Sequence, residues 1–217
     1  MRFEQESDPP VDKPVVIAGM QDMGNVGGVV IDFVNRSLGT APFRRAVPDH
    51  PSHVIDRGGS IDVPDEGWEY RYGDGVIVFG GGRGQPEGAE MGELCRDVIG
   101  VAQSHSAKII YTVGGFHAGS RAGAPRTYVT STSGALAERL SGMGMRLTPG
   151  RSAITGFNGI MLGFAKNAGM DGIGLFGEID RPDVVQYGAA ASVVRTLGAL
   201  TYMKIGDAGE LESRMRG

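Results

Sequence analysis

Apolar and polar positions along the chain follow two rhythms. Short unbroken apolar runs recur at Pro14-Val15-Val16-Ile17-Ala18, Val76-Ile77-Val78-Phe79, Ile109-Ile110-Tyr111-Thr112-Val113 and Gly172-Ile173-Gly174-Leu175-Phe176. Runs of this length, each closed by glycine or a polar turn, predict strands buried on both faces of a sheet. Between them the apolar residues fall three and four apart: Val26, Val29, Val30, Phe33, Val34 and Leu38 after the first run, then Met91, Leu94, Cys95, Val98, Ile99 and Ala102 after the second. That spacing predicts helices with one apolar stripe laid on the sheet. Two more helices are predicted, around Ile160 to Ala168 and from Asp183 to Met203, the second with Pro182 in its first turn. The last is apolar nearly all round, from Val184 and Val185 through Ala189, Val193 and Leu197 to Met203. Such a helix is expected to be buried, in the core or in a subunit contact.

Strands alternating with helices predict an α/β domain with a mostly parallel sheet covered on both faces. Residues 40–75, which include Trp68-Glu69-Tyr70-Arg71-Tyr72, read as an antiparallel hairpin or edge excursion, and the β-branched residues 127–132 as a further strand. Residues 1–12 are polar, acidic and proline-bearing, which predicts a loose arm. Residues 13–206 form the domain, and the charged residues 207–217 read as a projecting tail.

Composition narrows the function. A chain of 217 residues with 41% apolar residues is long enough for one large core. Its net charge of -4, from 25 acids against 21 bases with no basic cluster, argues against nucleic acid as a partner. No stretch reaches the roughly 18 consecutive apolar residues of a membrane span, and the first residues lack the pattern of a leader. The expectation is a cytoplasmic protein with no membrane partner. Cys95 stands alone and on an apolar stripe, so neither an internal disulfide nor a cysteine metal site is expected. His50 and His53 straddle Pro51 without a further ligand at zinc spacing. No metal and no cofactor are expected.

Glycine is in excess, 37 of 217 residues against a usual share of about 7%. Much of it sits in three loops that follow strands, the edge of a parallel sheet where ligands collect. The first, Gly19 to Gly28, leads into a helix N-terminus whose amides could hold an anion. It is neither the dinucleotide fingerprint nor a P-loop, and Asp22 would repel phosphate. Tight turns and close packing of helix on sheet are the competing use of these glycines. The second loop, Gly80 to Gly88, carries Arg83. The third, Gly114 to Arg126, carries Phe116, His117, Ser120, Arg121 and Arg126. His117 has no orienting carboxylate that the sequence reveals, and Ser120 is not in a nucleophile elbow. Glu178 and Asp180 would either grip a sugar hydroxyl or cap the helix after Pro182.

In order and spacing these segments resemble the PAC2 (proteasome assembly chaperone 2) family from about residue 14 to residue 204. The matching residues are Gly19, Gly24, Val26 and Gly27; Gly82, Gln85 and Pro86; Gly114 and Gly115; Pro125; Thr155-Gly156 with Asn158-Gly159; and Glu178. The resemblance implies a three-layer α/β/α domain, broadly similar to purine nucleoside phosphorylases, in proteins that self-associate and chaperone assembly of proteasome α rings. Some relatives end in a hydrophobic-tyrosine-any tripeptide that docks on the α ring, and this sequence, ending Met215-Arg216-Gly217, departs from that pattern.

Two readings follow. The first is a protein-binding homo-oligomer, a trimer or tetramer, that serves as assembly chaperone or adaptor, with proteasome-like α subunits as partners and no catalytic residues. Met20 and Met23 would give adaptable apolar contacts and Phe116 an aromatic anchor. The alternative is an enzyme of nucleoside phosphorylase type, or a nucleotide- or anion-binding protein, using the first loop, the arginines and Glu178. Together these readings mark Gly19, Met20, Met23, Gly24, Gly27, Arg83, Gln85, Phe116, His117, Arg121, Arg126, Asn158 and Glu178 as candidate binding residues.

Overall fold

The structure is a computed structural model and describes residues 1–65, 67–81, 84–117, 119 and 123–214. In chain order the strands are β1 (Arg2–Gln5), β2 (Val15–Gly19), β3 (Ala41–Val47), β4 (Ile55–Asp56), β5 (Ile61–Asp62), β6 (Trp68–Gly73), β7 (Val76–Gly80), β8 (Ile109–His117), β9 (Thr127–Ser131), β10 (Arg146–Leu147) and β11 (Asp171–Ile179). The helices are α1 (Val26–Leu38), α2 (Gly88–Ser104), α3 (Gly134–Gly142), α4 (Gly156–Asn167), α5 (Tyr187–Thr201) and α6 (Gly209–Ser213).

Nine strands form one sheet in the order β1-β3-β6-β7-β2-β8-β11-β9-β10. Its centre, β7-β2-β8-β11, is parallel and made of the apolar runs. Antiparallel strands extend it, β6, β3 and β1 on one side and β9 on the other. Successive residues of a strand face opposite ways. Ile17, Val113 and Leu175 therefore meet Val30 and Phe33 of α1 and Val193 and Leu197 of α5. Val16, Phe79 and Ile110 meet Leu94 and Val98 of α2 and Phe157 and Met161 of α4 on the opposite face. The result is the expected α/β/α sandwich. Among the described residues no helix is long and apolar enough to cross a membrane.

Three segments differ from expectation. Residues 2–5 are a strand rather than a loose arm, paired antiparallel with β3. Their side chains stay largely exposed, so backbone pairing and the Met1 ammonium bound to the Asp49 carboxylate hold them, not the burial that a sequence pattern registers. Residues 40–75 form the expected antiparallel edge excursion, β3 and β6 extending the main sheet, with β4 and β5 paired as a separate hairpin.

Helix α5 begins at Tyr187, not Asp183. The Pro182 carbonyl instead accepts the Gly24 amide at 2.8 Å, and the Gln186 amide donates to the Gly24 carbonyl at 2.8 Å. The segment before α5 is thus a strap across the loop that follows β2. Most of the apolar surface of α5 is buried inside the chain, against α1, β11 and α6. The tail accordingly does not project through 207–214: α6 folds onto α5 and buries Leu211.

Candidate functional site

The central strands are parallel, so the loops after β2, β7 and β8 gather at one edge, and β8 and β11 run several residues past their expected ends to meet them. After β2 the chain turns at Gly24, whose φ of 66° lies in the left-handed region. Gly19 and Gly27 serve close packing: a Cβ on Gly19 would lie 2.6 Å from Val113 Cγ2, and one on Gly27 would lie 2.3 Å from the Met20 carbonyl oxygen.

Within this turn Asp22 points back into the protein. Its Oδ1 accepts the Gly27 amide at 2.9 Å and its Oδ2 accepts the Gly115 amide at 2.5 Å. Burial pushes the Asp22 carboxyl up from 3.8 to about 6, outweighing the backbone amides that favour the anion. At the first turn of α1 the place of a bound anion is therefore filled by the chain's own carboxylate. Phosphate has no claim on those donors.

A second tie comes from the loop after β7. Gln85 Oε1 accepts the Phe157 amide at 2.8 Å, and its Nε2 donates to the Gln21 carbonyl at 3.1 Å. One side chain thus satisfies an amide in the first turn of α4, where Thr155 makes no side-chain cap, and anchors the loop after β2. Between these ties lies a cleft of about 380 Å³, lined by Asp22, Met23, Gln85, Phe116, His117, Asn158 and Phe176 together with residues of the segment 148–156.

Of the expected binding residues, Met23, Gln85, Phe116, His117 and Asn158 meet in this cleft. Met20 does not: it is 0% exposed and packs in the core with Val16 and Ala18, so its expected role as a surface contact is corrected. Glu178 is buried within β11 rather than following it, and its amide donates to the Arg126 carbonyl at 2.7 Å. Neither Glu178 nor Arg126 lines the cleft. Arg83, Ser120 and Arg121 lie outside the described residues. Among the described residues no carboxylate is hydrogen-bonded to His117, so nothing there orients it as a base. Thr148, Ser152 and Ile154 of the cleft wall escaped sequence reasoning because an irregular loop has no period to read. Asp22 had a signal, an acid five residues before Gly27 at a helix start, but it read as a repulsive charge rather than a structural staple.

The family model of the PAC2 family matches residues 16–216. The chain belongs to the PAC2 family. In sequence it is 26% identical over 211 residues to an uncharacterized protein of Methanocaldococcus jannaschii, covering 96% of this chain and 81% of that protein. In structure it is similar to PbaB of Pyrococcus furiosus, described as an archaeal proteasome activator, with a TM-score of 0.86 and 23% identity over 99% of this chain and 94% of that one. It is also similar to PbaA of Pyrococcus furiosus, described as an archaeal homolog of proteasome-assembly chaperone, with a TM-score of 0.82 and 18% identity over 99% and 87% of the two chains. A Mycobacterium tuberculosis proteasome-assembly chaperone homologue aligns with a TM-score of 0.74 and 14% identity, over 93% of this chain and 92% of that one.

On this PAC2 chain the loops around the cleft leave apolar side chains in solvent. Met23 is 49% and Ile154 38% exposed on the cleft wall, and Val184 and Val185 of the strap bound to Gly24 are 36% and 43% exposed.

Proposed function

We propose that this PAC2 protein is a cytoplasmic, protein-binding homo-oligomer, a trimer or tetramer, that works as an assembly chaperone or adaptor for proteasome-like α subunits and catalyses no reaction. The observation that carries this reading is the apolar rim of Met23, Ile154, Val184 and Val185 beside a cleft in which the described residues form no oriented acid/base pair. Grouped apolar side chains left in water favour a partner that covers them, and methionine adapts to an irregular partner surface. Family membership and the proteasome-related descriptions of PbaB and PbaA support the choice of partner. Most of the apolar surface of α5 is covered within one chain, which argues against this helix as the main subunit contact. The self-association rests on the family and on apolar side chains elsewhere, such as Ile61 and Val63 by the β4–β5 hairpin.

The test is co-expression with the proteasome α subunit of the same organism, followed by native mass spectrometry. A complex of defined stoichiometry, and a mass above one chain for the protein alone at micromolar concentration, are expected. A monomer that captures no α subunit would overturn the reading.

A further inference from the structure

Strand β1 closes one end of the nine-stranded sheet, and among the described residues no strand lies along its outer side. Its ladder with β3 fixes which backbone groups point that way. The Glu6 amide donates to the Phe43 carbonyl at 2.8 Å, and in an antiparallel ladder residues bonded to the neighbouring strand alternate with residues that point away from it. Arg2 and Glu4 therefore face β3, and the N–H and C=O of Phe3 and Gln5 point off the edge. An edge of this kind is a template for another strand. Beside it lies an apolar surface. In the β4–β5 hairpin Asp56 stands opposite Ile61, and the same register continued past Ile55 and Asp62 sets Val54 opposite Val63, so Val54, Ile61 and Val63 share one face. All three are exposed, Ile61 by 64% and Val63 by 62%, and Val63 lines one depression with Arg2.

The charges on β1 choose both the occupant and its register. A second copy of β1, laid antiparallel across a two-fold axis, can join the outward groups of Phe3 and Gln5 in three ways. Gln5 opposite Gln5 sets Glu4 against Glu6 of the second copy, and Phe3 opposite Gln5 sets Glu4 against Glu4. Like charges directly opposite are destabilising. Phe3 opposite Phe3 instead sets Arg2 of each copy against Glu4 of the other. The Arg2–Glu4 contact within one chain, 3.6 Å between exposed side chains, then becomes part of a ring of four alternating charges. On the opposite face of the strand the two Phe3 rings meet, each already carrying the Arg44 guanidinium 5.3 Å from its centroid.

We propose that this edge is the self-association surface: β1 of two copies pairs antiparallel about a two-fold axis at Phe3, joining the two nine-stranded sheets, and the Val54, Ile61 and Val63 face of each hairpin is covered beside it. Arg2 adjoins the axis and shares its depression with Val63, so the strand contact brings the hairpin up to the second copy. A pair of four-residue strands is short, and the hairpin face adds the apolar area that it lacks. This contact rests on the homo-oligomer reading and narrows it, because a two-fold contact builds dimers and dimers of dimers but not a closed trimer.

The experiment uses the full chain at low salt, where surface charges are least screened. Sedimentation equilibrium gives masses and dissociation constants, and amide hydrogen exchange at several protein concentrations reads the edge. For wild type an even number of chains is expected, with protection of the Phe3 amide that rises with concentration. Arg2→Glu and Glu4→Arg each set like charges across the axis and should weaken the two-chain contact at least about tenfold. The double variant Arg2→Glu/Glu4→Arg should restore it, and so should an equimolar mixture of the two single variants, in which opposite charges again face each other. A merely structural role for either side chain would give no such rescue. A wild-type monomer at micromolar concentration would overturn the homo-oligomer reading and this interface together. An oligomer that leaves the Phe3 amide unprotected, closes as a trimer or keeps its affinity in both single variants would overturn the interface alone. Protection of Phe3 that comes only with an added α subunit would assign the edge to that partner and overturn the proposal too. Exchange in the wild-type protein decides the matter even where a variant fails to fold.

Discussion

The Asp22 carboxylate accepts a 2.5 Å hydrogen bond from the backbone amide of Gly115, a residue 93 positions further along the chain. With its second oxygen on Gly27, this carboxylate joins the loop after β2 to the end of β8 and to the first turn of α1. Its burial raises the folded-state pKa from 3.8 to about 6, so the folded protein takes up a proton at a pH where the unfolded chain has lost it. The contribution of Asp22 to stability therefore increases as pH falls through 6 toward 4, and its burial cost is complete above pH 6. Asp22→Asn removes the titration while keeping one acceptor. Between about pH 7.5 and pH 4, the difference in unfolding free energy should move in favour of wild type by up to about 3 kcal/mol. Urea titrations of both proteins across this range check it, and a difference that does not vary with pH would refute it.

Gln85 joins the Gln21 carbonyl to the Phe157 amide. Gln85→Ala leaves that amide without its acceptor and frees one wall of the cleft. The expected loss is about 1–2 kcal/mol. Faster hydrogen exchange should be confined to the start of α4 and the loop after β2, and exchange unchanged at Phe157 would contradict the assignment.

Met20 and Met23 lie three positions apart and are expected to behave in opposite ways. Met20 fills the core, so Met20→Ala should cost about 2–5 kcal/mol of stability through the cavity it leaves. Met23 is half exposed, and Met23→Ala should change stability by less than about 0.5 kcal/mol. Denaturant midpoints measured side by side decide this.

Much of the architecture could be read from the sequence because burial leaves a period. β2, β7, β8 and β11 are unbroken apolar runs, and the buried residues of α2 are the stripe Met91, Leu94, Cys95, Val98, Ile99 and Ala102. Strand β1 was hidden because backbone pairing holds it while its side chains stay in water. Pro182 misled because proline suits both a helix start and a turn, and here its carbonyl is taken by Gly24. Met20 carried a signal that its glycine neighbours obscured: Val16, Ala18 and Met20 continue one strand face into the core. Gln85, Phe116 and Asn158 stood out in glycine-rich loops and family motifs, whereas the partnership of Asp22 with Gly115 needs a tertiary contact that no local pattern encodes.

The α6 helix gives a further check. Leu211 is buried against α5, so Leu211→Ala should destabilise the protein by about 2–3 kcal/mol. A projecting tail would show no change in melting temperature.

The central claim, that the loop face around the cleft is the partner surface, is tested most directly by calorimetry of an α subunit captured from the same organism against wild type, Met23→Ala, Phe116→Ala and a surface control, Met143→Ala. Met23 and Phe116 line the cleft, while Met143 is exposed just after α3. The account predicts that Met23→Ala or Phe116→Ala weakens binding by about 1–3 kcal/mol with the control unchanged. Undiminished binding by both cleft variants, with folding intact, would contradict it.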